Sequence, residues 1–159
     1  MKKTRCITGR ELDELSGLAR ASARRRKNYN FHYSDSDPSH RLLNAMEPDS
    51  YIQPHRHLDP NKDETLLVVR GRIGMIIFDD GGNIEYRAVL EPGGDPALVN
   101  IPCGVFHTWV SLEPGSIFFE TKAGPFIPLS REEKAPWAPE ENAETVPDYL
   151  GSLRDLFKA

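Results

Sequence analysis

Residues 64–90 read ETLLVVRGRIGMIIFDDGGNIEYRAVL and contain three β-rich runs separated by turn residues. The runs at 64–70, 72–79 and 84–90 are rich in β-branched and aromatic side chains, which favour strands. Asp80-Gly81-Gly82-Asn83 lies between the second and third runs. This sequence is typical of a hairpin turn, because glycine and asparagine tolerate positive φ angles. The stretch therefore predicts three successive strands, the last two joined as a hairpin.

The same pattern continues on both sides of this stretch. Further β-rich runs lie at 41–46, 51–57, 97–101, 106–112 and 116–122, and Glu-Pro begins the turns at 47–50, 91–94 and 113–116. Proline presets φ at the first central position of a turn, and glycine or aspartate suits the second. Eight short strands at this spacing predict a mostly β sandwich or small barrel.

Helical patterns flank the β-rich region. Apolar residues between Leu12 and Ala19 recur at helical spacing, and Thr8 with Glu11 forms a capping box. The basic run at 24–27 is either the last turn of that helix or a patch for nucleic acid or another anion. The formal net charge of −4 favours the first interpretation. A proline-rich segment follows residue 125, and a second amphipathic helix is predicted to begin near Pro147.

Composition narrows the class of protein. The 159 residues, 38% hydrophobic and 28% charged, suit one globular domain. Two cysteines do not make a disulfide framework, and no run approaches the roughly 20 apolar residues of a membrane helix. The basic start has no apolar segment behind it. We therefore expect a cytoplasmic protein whose partners include neither nucleic acid nor a membrane.

Two predicted strands are apolar on both faces. Neighbouring side chains in 65–69 and in 74–78 point in opposite directions, yet nearly all of them are apolar. One face of each strand can fill the interior, and the other face needs a cover. The N-terminal helix or a second subunit would provide it, so a homodimer is expected.

Three of the five histidines form a pattern that suits a metal. His55 and His57 are two residues apart, so on a strand they project to the same face. Glu64 opens the next β-rich run, and the turn Pro102-Cys103-Gly104 precedes His107. Imidazole is a favoured ligand of zinc, iron, nickel and copper. Three nitrogens and one carboxylate would leave coordination positions open, as reactive metal sites require.

These residues resemble the paired motifs of the cupin superfamily, His55-x-His57 with Glu64-x6-Gly71 and Pro102-x-Gly104-x2-His107. The chain is also similar to the WbuC-type cupin-fold metalloproteins of bacterial O-antigen and surface-polysaccharide gene clusters. That similarity extends over nearly the whole chain, including 27–32, 41–44, 54–57, 62–65, 78–80 and 135–141. It implies a mostly β, single-domain jelly-roll barrel at 41–124. A helix and connecting segment at 1–40 precede the barrel, and an extension with a short helix packed on the barrel follows at 125–159.

The resemblance also implies a ligand set: one divalent ion, Fe, Zn, Ni or Mn, bound by His55, His57, Glu64 and His107. Two departures from the usual motif matter. Asp49 replaces the glycine six residues before His55, and the gap from His57 to Glu64 is longer than usual. The longer gap makes Asp63 a rival to Glu64 as the carboxylate ligand.

Other residues are weaker candidates. Glu120 and Lys122 share one face of the last predicted strand, where they are a base and a cation near the metal if that face is internal. His32 lies with Tyr29 and Asn30 in a non-helical stretch that either lines the barrel mouth or caps the fold. We take Glu120 and His32 as candidate catalytic residues.

Three further side chains need an assignment. His40 is expected to be a hydrogen-bonded core residue. Cys103 is either near the site or a small buried apolar residue. Arg56 points away from its neighbouring histidines.

The predicted function is that of a metal-binding cupin acting on a sugar or related small oxygenated metabolite in surface-polysaccharide metabolism. The reaction would be an isomerisation, an epimerisation or an oxygenation. Two alternatives remain open: a sugar-sensing module without catalysis, and a metal-free epimerase-like cupin. Elemental analysis separates the metal-dependent from the metal-free interpretation.

Overall fold

The computed structural model describes residues 4–158 as two helices and eight strands. In chain order they are α1 (Gly9–Ala21), β1 (Arg26–Asn30), β2 (Ser39–Met46), β3 (Glu64–Arg70), β4 (Ile73–Phe78), β5 (Ile84–Leu90), β6 (Val99–Ile101), β7 (Phe106–Ser111), β8 (Ser116–Ala123) and α2 (Val146–Asp155). Within the described residues, no helix is both long enough and apolar enough to cross a bilayer.

The strands form two antiparallel sheets with the core between them. One sheet has the order β1-β2-β8-β3-β6, and the other has the order β5-β4-β7. Inward side chains from both sheets fill the interior, among them Met46, Leu66, Val68, Met75, Trp109 and Phe118. This is a jelly-roll arrangement, so the predicted mostly β cupin fold with a helix at each end is confirmed.

Helix α1 covers the outer face of the larger sheet. Thr8 caps it, and the reciprocal bond from the Thr8 backbone to Glu11 completes the predicted capping box. Leu15 and Ala19 pack on side chains of β2 and β8. The amphipathic pattern of the sequence therefore positions the helix.

The basic run does not end α1, which corrects the sequence prediction. The helix ends at Ala21, and Arg26 begins β1, which pairs with β2. Arg25 has a φ of 56°, a left-handed conformation that turns the chain between helix and strand. Arg26 then donates to the Tyr51 carbonyl and pairs with Glu141. These long-range contacts outweigh the local preference of a basic run for a helix end.

The segment at 51–57 is also not a strand. Within it, only His55 takes part in β-bridges, and it exchanges both backbone hydrogen bonds with His107. Pro54 has no N–H to donate, so a continuous ladder is not possible there. The segment instead runs between the sheet and the chain near Lys134, which forms a second bridge to His55.

The C-terminal extension covers the outer face of β4, where the sequence predicted α1 or a second subunit. Ile76 and Phe78 pack there on Ala138 and on Leu150 and Leu153 of α2. The outer face of β3 is less covered, since Leu67 and Val69 stay 43% and 38% exposed. The homodimer stays a prediction.

Candidate metal centre

Four buried side chains from different parts of the chain meet between the two sheets. His55 and His57 come from the 51–57 segment, Glu64 begins β3, and His107 is the second residue of β7. One ligand atom from each lies within 4.8 Å of the other three. The structure therefore brings together the four residues that the sequence predicted as ligands.

The hydrogen bonds of two histidines orient them as ligands. His55 Nδ1 lies 3.0 Å from the Gln53 carbonyl, and His107 Nδ1 lies 2.9 Å from the Val105 carbonyl. A carbonyl only accepts, so each Nδ1 carries a proton, and a neutral ring then has its free lone pair on Nε2. Metal-binding histidines are usually held in this way. His107 Nε2 is buried without a hydrogen-bond partner among the described residues. Coordination to a metal ion would give this nitrogen a partner.

The shifted pKa values of His55 and Glu64 favour binding of a cation by this cluster. Burial, together with the neighbouring His107, lowers the pKa of His55 to about 3, so the ring is neutral at physiological pH. Burial alone would raise the pKa of Glu64. The positive charge of Lys122 and the close approach of the His107 and His57 rings outweigh it and hold that pKa well below its ordinary value. A neutral His55 imidazole beside an ionised Glu64 gives these two residues the protonation states that a metal requires.

The two carboxylates that the sequence left as rivals have different surroundings. Glu64 is 2% exposed, and its Oε2 lies 3.1 Å from His57 Nε2 and 3.3 Å from His107 Nε2. The Asp63 carboxylate instead accepts a bond from the Cys103 backbone at 3.0 Å and lies outside the cluster. The geometry thus favours Glu64 and gives Asp63 a structural contact.

Glu120 and Lys122 are on the internal face of β8, beside the cluster. Lys122 Nζ lies 2.6 Å from Glu120 Oε1 and 3.7 Å from Glu64 Oε1. Asn44 donates to the other Glu120 oxygen at 2.9 Å. Burial and the negative charge of Glu64 raise the pKa of Glu120 to about 7, despite the nearby Lys122. Glu120 is therefore a buried carboxyl that exchanges a proton near neutral pH.

A cavity of about 360 Å³ opens beside His55 and Glu64. One wall is the inward face of β1, where alternate residues point inward: Arg26, Asn28 and Asn30, followed by His32. The sequence analysis missed this strand, although its period-two alternation was the available signal. Tyr29 lies on the other face and packs with α1, so it does not line the cavity.

His32 and His40 form a stacked pair in the same cavity. Their ring centroids are 4.0 Å apart, and His32 Nδ1 and His40 Nε2 contact the Arg41 and Asp35 carbonyls. Burial and His32 lower the pKa of His40. His40 is hydrogen-bonded and buried as expected, and it also faces the cavity that the sequence did not assign to it.

Two other candidates lie away from the cluster. Arg56 pairs with Asp80 at 3.1 Å and lies over the Phe106 ring, so it points away from His55 and His57. Cys103 is half-buried and does not line any of the three described cavities that reach His55.

Comparison with one solved structure gives the same fold, and two others are less similar. KdgF from Halomonas sp. superposes with a TM-score of 0.50 at 17% identity, over 62% of this chain and 80% of that chain. Oxalate oxidase in complex with the substrate analogue glycolate gives 0.49 at 15% identity, over 65% and 53%. Oxalate decarboxylase from Bacillus subtilis gives 0.48 at 17% identity; this chain spans only 26% of that chain. The likeness to KdgF supports the fold alone.

The jelly roll is the cupin fold, and its buried three-histidine, one-glutamate cluster is a group that could hold a metal ion. A family described as a domain of unknown function (DUF6016) matches residues 7–90, slightly more than half of the sequence. The chain belongs to that family. No curated protein matches the sequence.

Proposed function

We propose that this chain is a metal-dependent cupin enzyme of the WbuC type. Its divalent ion, Fe, Zn, Ni or Mn, would be bound by His55, His57, Glu64 and His107. The observation that carries the proposal is the convergence of four buried donor atoms within 4.8 Å, two of them on rings fixed by backbone carbonyls. Such a set of donors suits a divalent ion that prefers imidazole and carboxylate ligands.

The substrate in this proposal is a sugar or a related small oxygenated metabolite of bacterial surface-polysaccharide metabolism. The cavity of about 360 Å³ falls within the size range of small-molecule sites. Asn28, Asn30 and Asn44 line it with amides, which both donate to and accept from hydroxyl groups. Trp109 and Phe118 add apolar surface suited to the C–H face of a sugar ring. A polyhydroxylated ligand fits both kinds of surface.

A bound divalent ion would act as a Lewis acid on substrate oxygens. The chain's own residues supply the proton transfers that an isomerisation or epimerisation needs. Glu120 faces the cavity and is held by Asn44 and Lys122, so its carboxyl has a fixed direction. His32 lines the same cavity and serves as a second proton donor or acceptor.

The proposal includes a cytoplasmic location and a homodimer. The exposed Leu67 and Val69 on the outer face of β3 support the second part. Sedimentation equilibrium at micromolar concentration measures the mass in solution. A monomeric mass would remove the homodimer from the proposal and leave the site unaffected.

Elemental analysis of untagged protein tests the metal. We expect close to one equivalent of iron, zinc, nickel or manganese in the wild type and none in the His55→Ala/His107→Ala variant. Circular dichroism checks that the variant is folded. A wild type that neither carries nor takes up divalent ions would overturn the proposal in favour of a metal-free cupin. Metal retained without turnover on any sugar would favour the sensing module.

A further inference from the structure

The loop between His57 and Glu64 places a lysine beside the cluster of candidate ligands. Asp59 organises the loop, because its side chain accepts from the Asn61 backbone and its carbonyl accepts from the Lys62 backbone. Lys62 is thereby turned inward and is only 8% exposed, although its neighbours Asn61 and Asp63 are exposed. The extra residues in this loop therefore bring a buried ammonium group to the site.

The surroundings of Lys62 do not neutralise its charge. Its Nζ donates to the Pro125 carbonyl at 3.1 Å, and within residues 4–158 no Asp or Glu oxygen lies within ion-pair distance of it. By contrast, Lys122 has two carboxylates. An ammonium has three protons to donate, and burying it with one neutral acceptor is costly. Within the described residues, the Lys62 ammonium is thus left without a carboxylate partner.

Lys62 faces a second cavity, of about 420 Å³, that adjoins the first. The two cavities meet at the cluster of candidate ligands, because both are lined by His40, His55, Lys122 and Phe126. The chain at 125–129 forms an apolar wall, and the exposed Lys134 adds a second cation. Glu141, the acidic residue among the described lining residues, is already paired with Arg26 at 2.6 Å.

We infer that Lys62, with Lys134, forms a subsite for an anionic group of the substrate, a carboxylate or a phosphate. The inference rests on the proposed function, since it specifies the class of substrate that the metal cluster would process. An oxyanion at Lys62 supplies the missing counter-charge and accepts the two remaining N–H bonds. The substrate would therefore be a sugar acid or a sugar phosphate rather than a neutral sugar.

The test uses inorganic phosphate and acetate as probes. Each replaces chloride at constant ionic strength, and binding is followed by NMR titration and by the change in Tm. Metal-stripped protein is titrated beside metal-loaded protein, because an anion bound directly to the metal would disappear on stripping. The variants are Lys62→Met, the charge-conserving Lys62→Arg, and Lys27→Met, a matched control on the exposed face of β1.

We expect metal-stripped wild type to bind at least one probe, and Lys62→Met to weaken that binding by about tenfold or more. Lys62→Arg and Lys27→Met should bind like the wild type. The preferred probe then distinguishes a phosphorylated from a carboxylated substrate. Without added anion, Lys62→Met should also have a higher Tm than the wild type, because it removes an uncompensated buried charge.

Two results would overturn the inference. One is wild-type protein that binds neither probe at concentrations up to about 50 mM, because a preformed anion site should bind more tightly than that. The other is Lys62→Met that binds as well as the wild type and has a lower Tm, which would show that Lys62 only anchors Pro125. Elemental analysis keeps the two proposals separate. Anion binding without metal content would contradict the metal site alone, and metal content without anion binding would contradict the subsite alone.

Discussion

Replacing Lys122 with methionine should destabilise the metal-free protein strongly. Its ammonium is bonded to Glu120 and close to Glu64, and the side chains of all three are largely buried, at 21%, 8% and 2% exposure. Lys122→Met keeps most of the side-chain volume and leaves two neighbouring carboxylates without their cation. Removing one partner of a buried pair typically costs 3–5 kcal/mol, and the partial exposure of Lys122 places our expectation at about 3 kcal/mol.

A bound metal should reduce this loss. A divalent ion at the histidine cluster would compensate Glu64 directly, so only Glu120 would lack a partner. Glu120 has a pKa of about 7 and can take up a proton instead. With one carboxylate instead of two left without its cation, the loss in the presence of zinc should be about half of that in EDTA, roughly 1–2 kcal/mol.

Urea unfolding followed by tryptophan fluorescence measures both values. Trp109 lies in the core between the sheets and Trp137 packs on Phe78 outside the smaller sheet, so the signal reports both layers. Each variant is unfolded with EDTA and again with excess zinc. Lys27→Met is the control and should change the free energy of unfolding by less than about 0.5 kcal/mol. A loss below about 1 kcal/mol in EDTA, or equal losses with and without zinc, would refute the charge-compensation argument.

Three further predictions concern other parts of the molecule. Gly82→Ala should destabilise the protein by about 2–4 kcal/mol in urea unfolding, because Gly82 has a φ of 88° and a Cβ would lie 2.6 Å from the Trp137 ring. Gly81→Ala is the matched control, because Gly81 does not have a positive φ and an added Cβ would make only ordinary van der Waals contacts. The raised pKa of Glu120 contributes stability that is complete below the unfolded value of 4.5 and is lost as pH rises through about 7. Metal-free Glu120→Gln should therefore gain stability relative to the wild type between about pH 5 and pH 8, and a constant difference across that range would contradict the sign. Thr8→Ala should cost about 1 kcal/mol through the lost cap of α1, whereas an unchanged urea midpoint would show that tertiary contacts alone hold the helix.

Local sequence patterns predicted the strands that turn residues bound on both sides. The predicted runs at 64–70 and 84–90 coincide with β3 and β5, since alternation and turn residues bound them on both sides. β1 was missed because its strand conformation depends on pairing with β2, and its basic composition resembles a helix end. The 51–57 segment was overpredicted because its apolar residues suit a strand, while Pro54 interrupts the hydrogen-bond ladder.

The ligand cluster was predictable for a different reason. The set of His55, His57, Glu64 and His107 followed from motifs that resemble those of the cupin superfamily, since the strand expected to place His55 and His57 on one face is not formed. The cavity walls were not predictable in this way. Whether Glu120 is internal depends on the register of β8 between β2 and β3, which is set by long-range pairing. The same holds for the inward row of β1.

The positions of the four candidate ligands couple the site to the stability of the whole fold. Glu64 belongs to the larger sheet, where it pairs with Ile101 on one side and Lys122 on the other. His107 belongs to the smaller sheet, and its two backbone bonds with His55 attach the 51–57 segment to that sheet. An ion shared by these side chains would therefore link the two sheets across the core. Because such an ion binds the folded chain and not the unfolded one, its binding energy adds to the free energy of global unfolding.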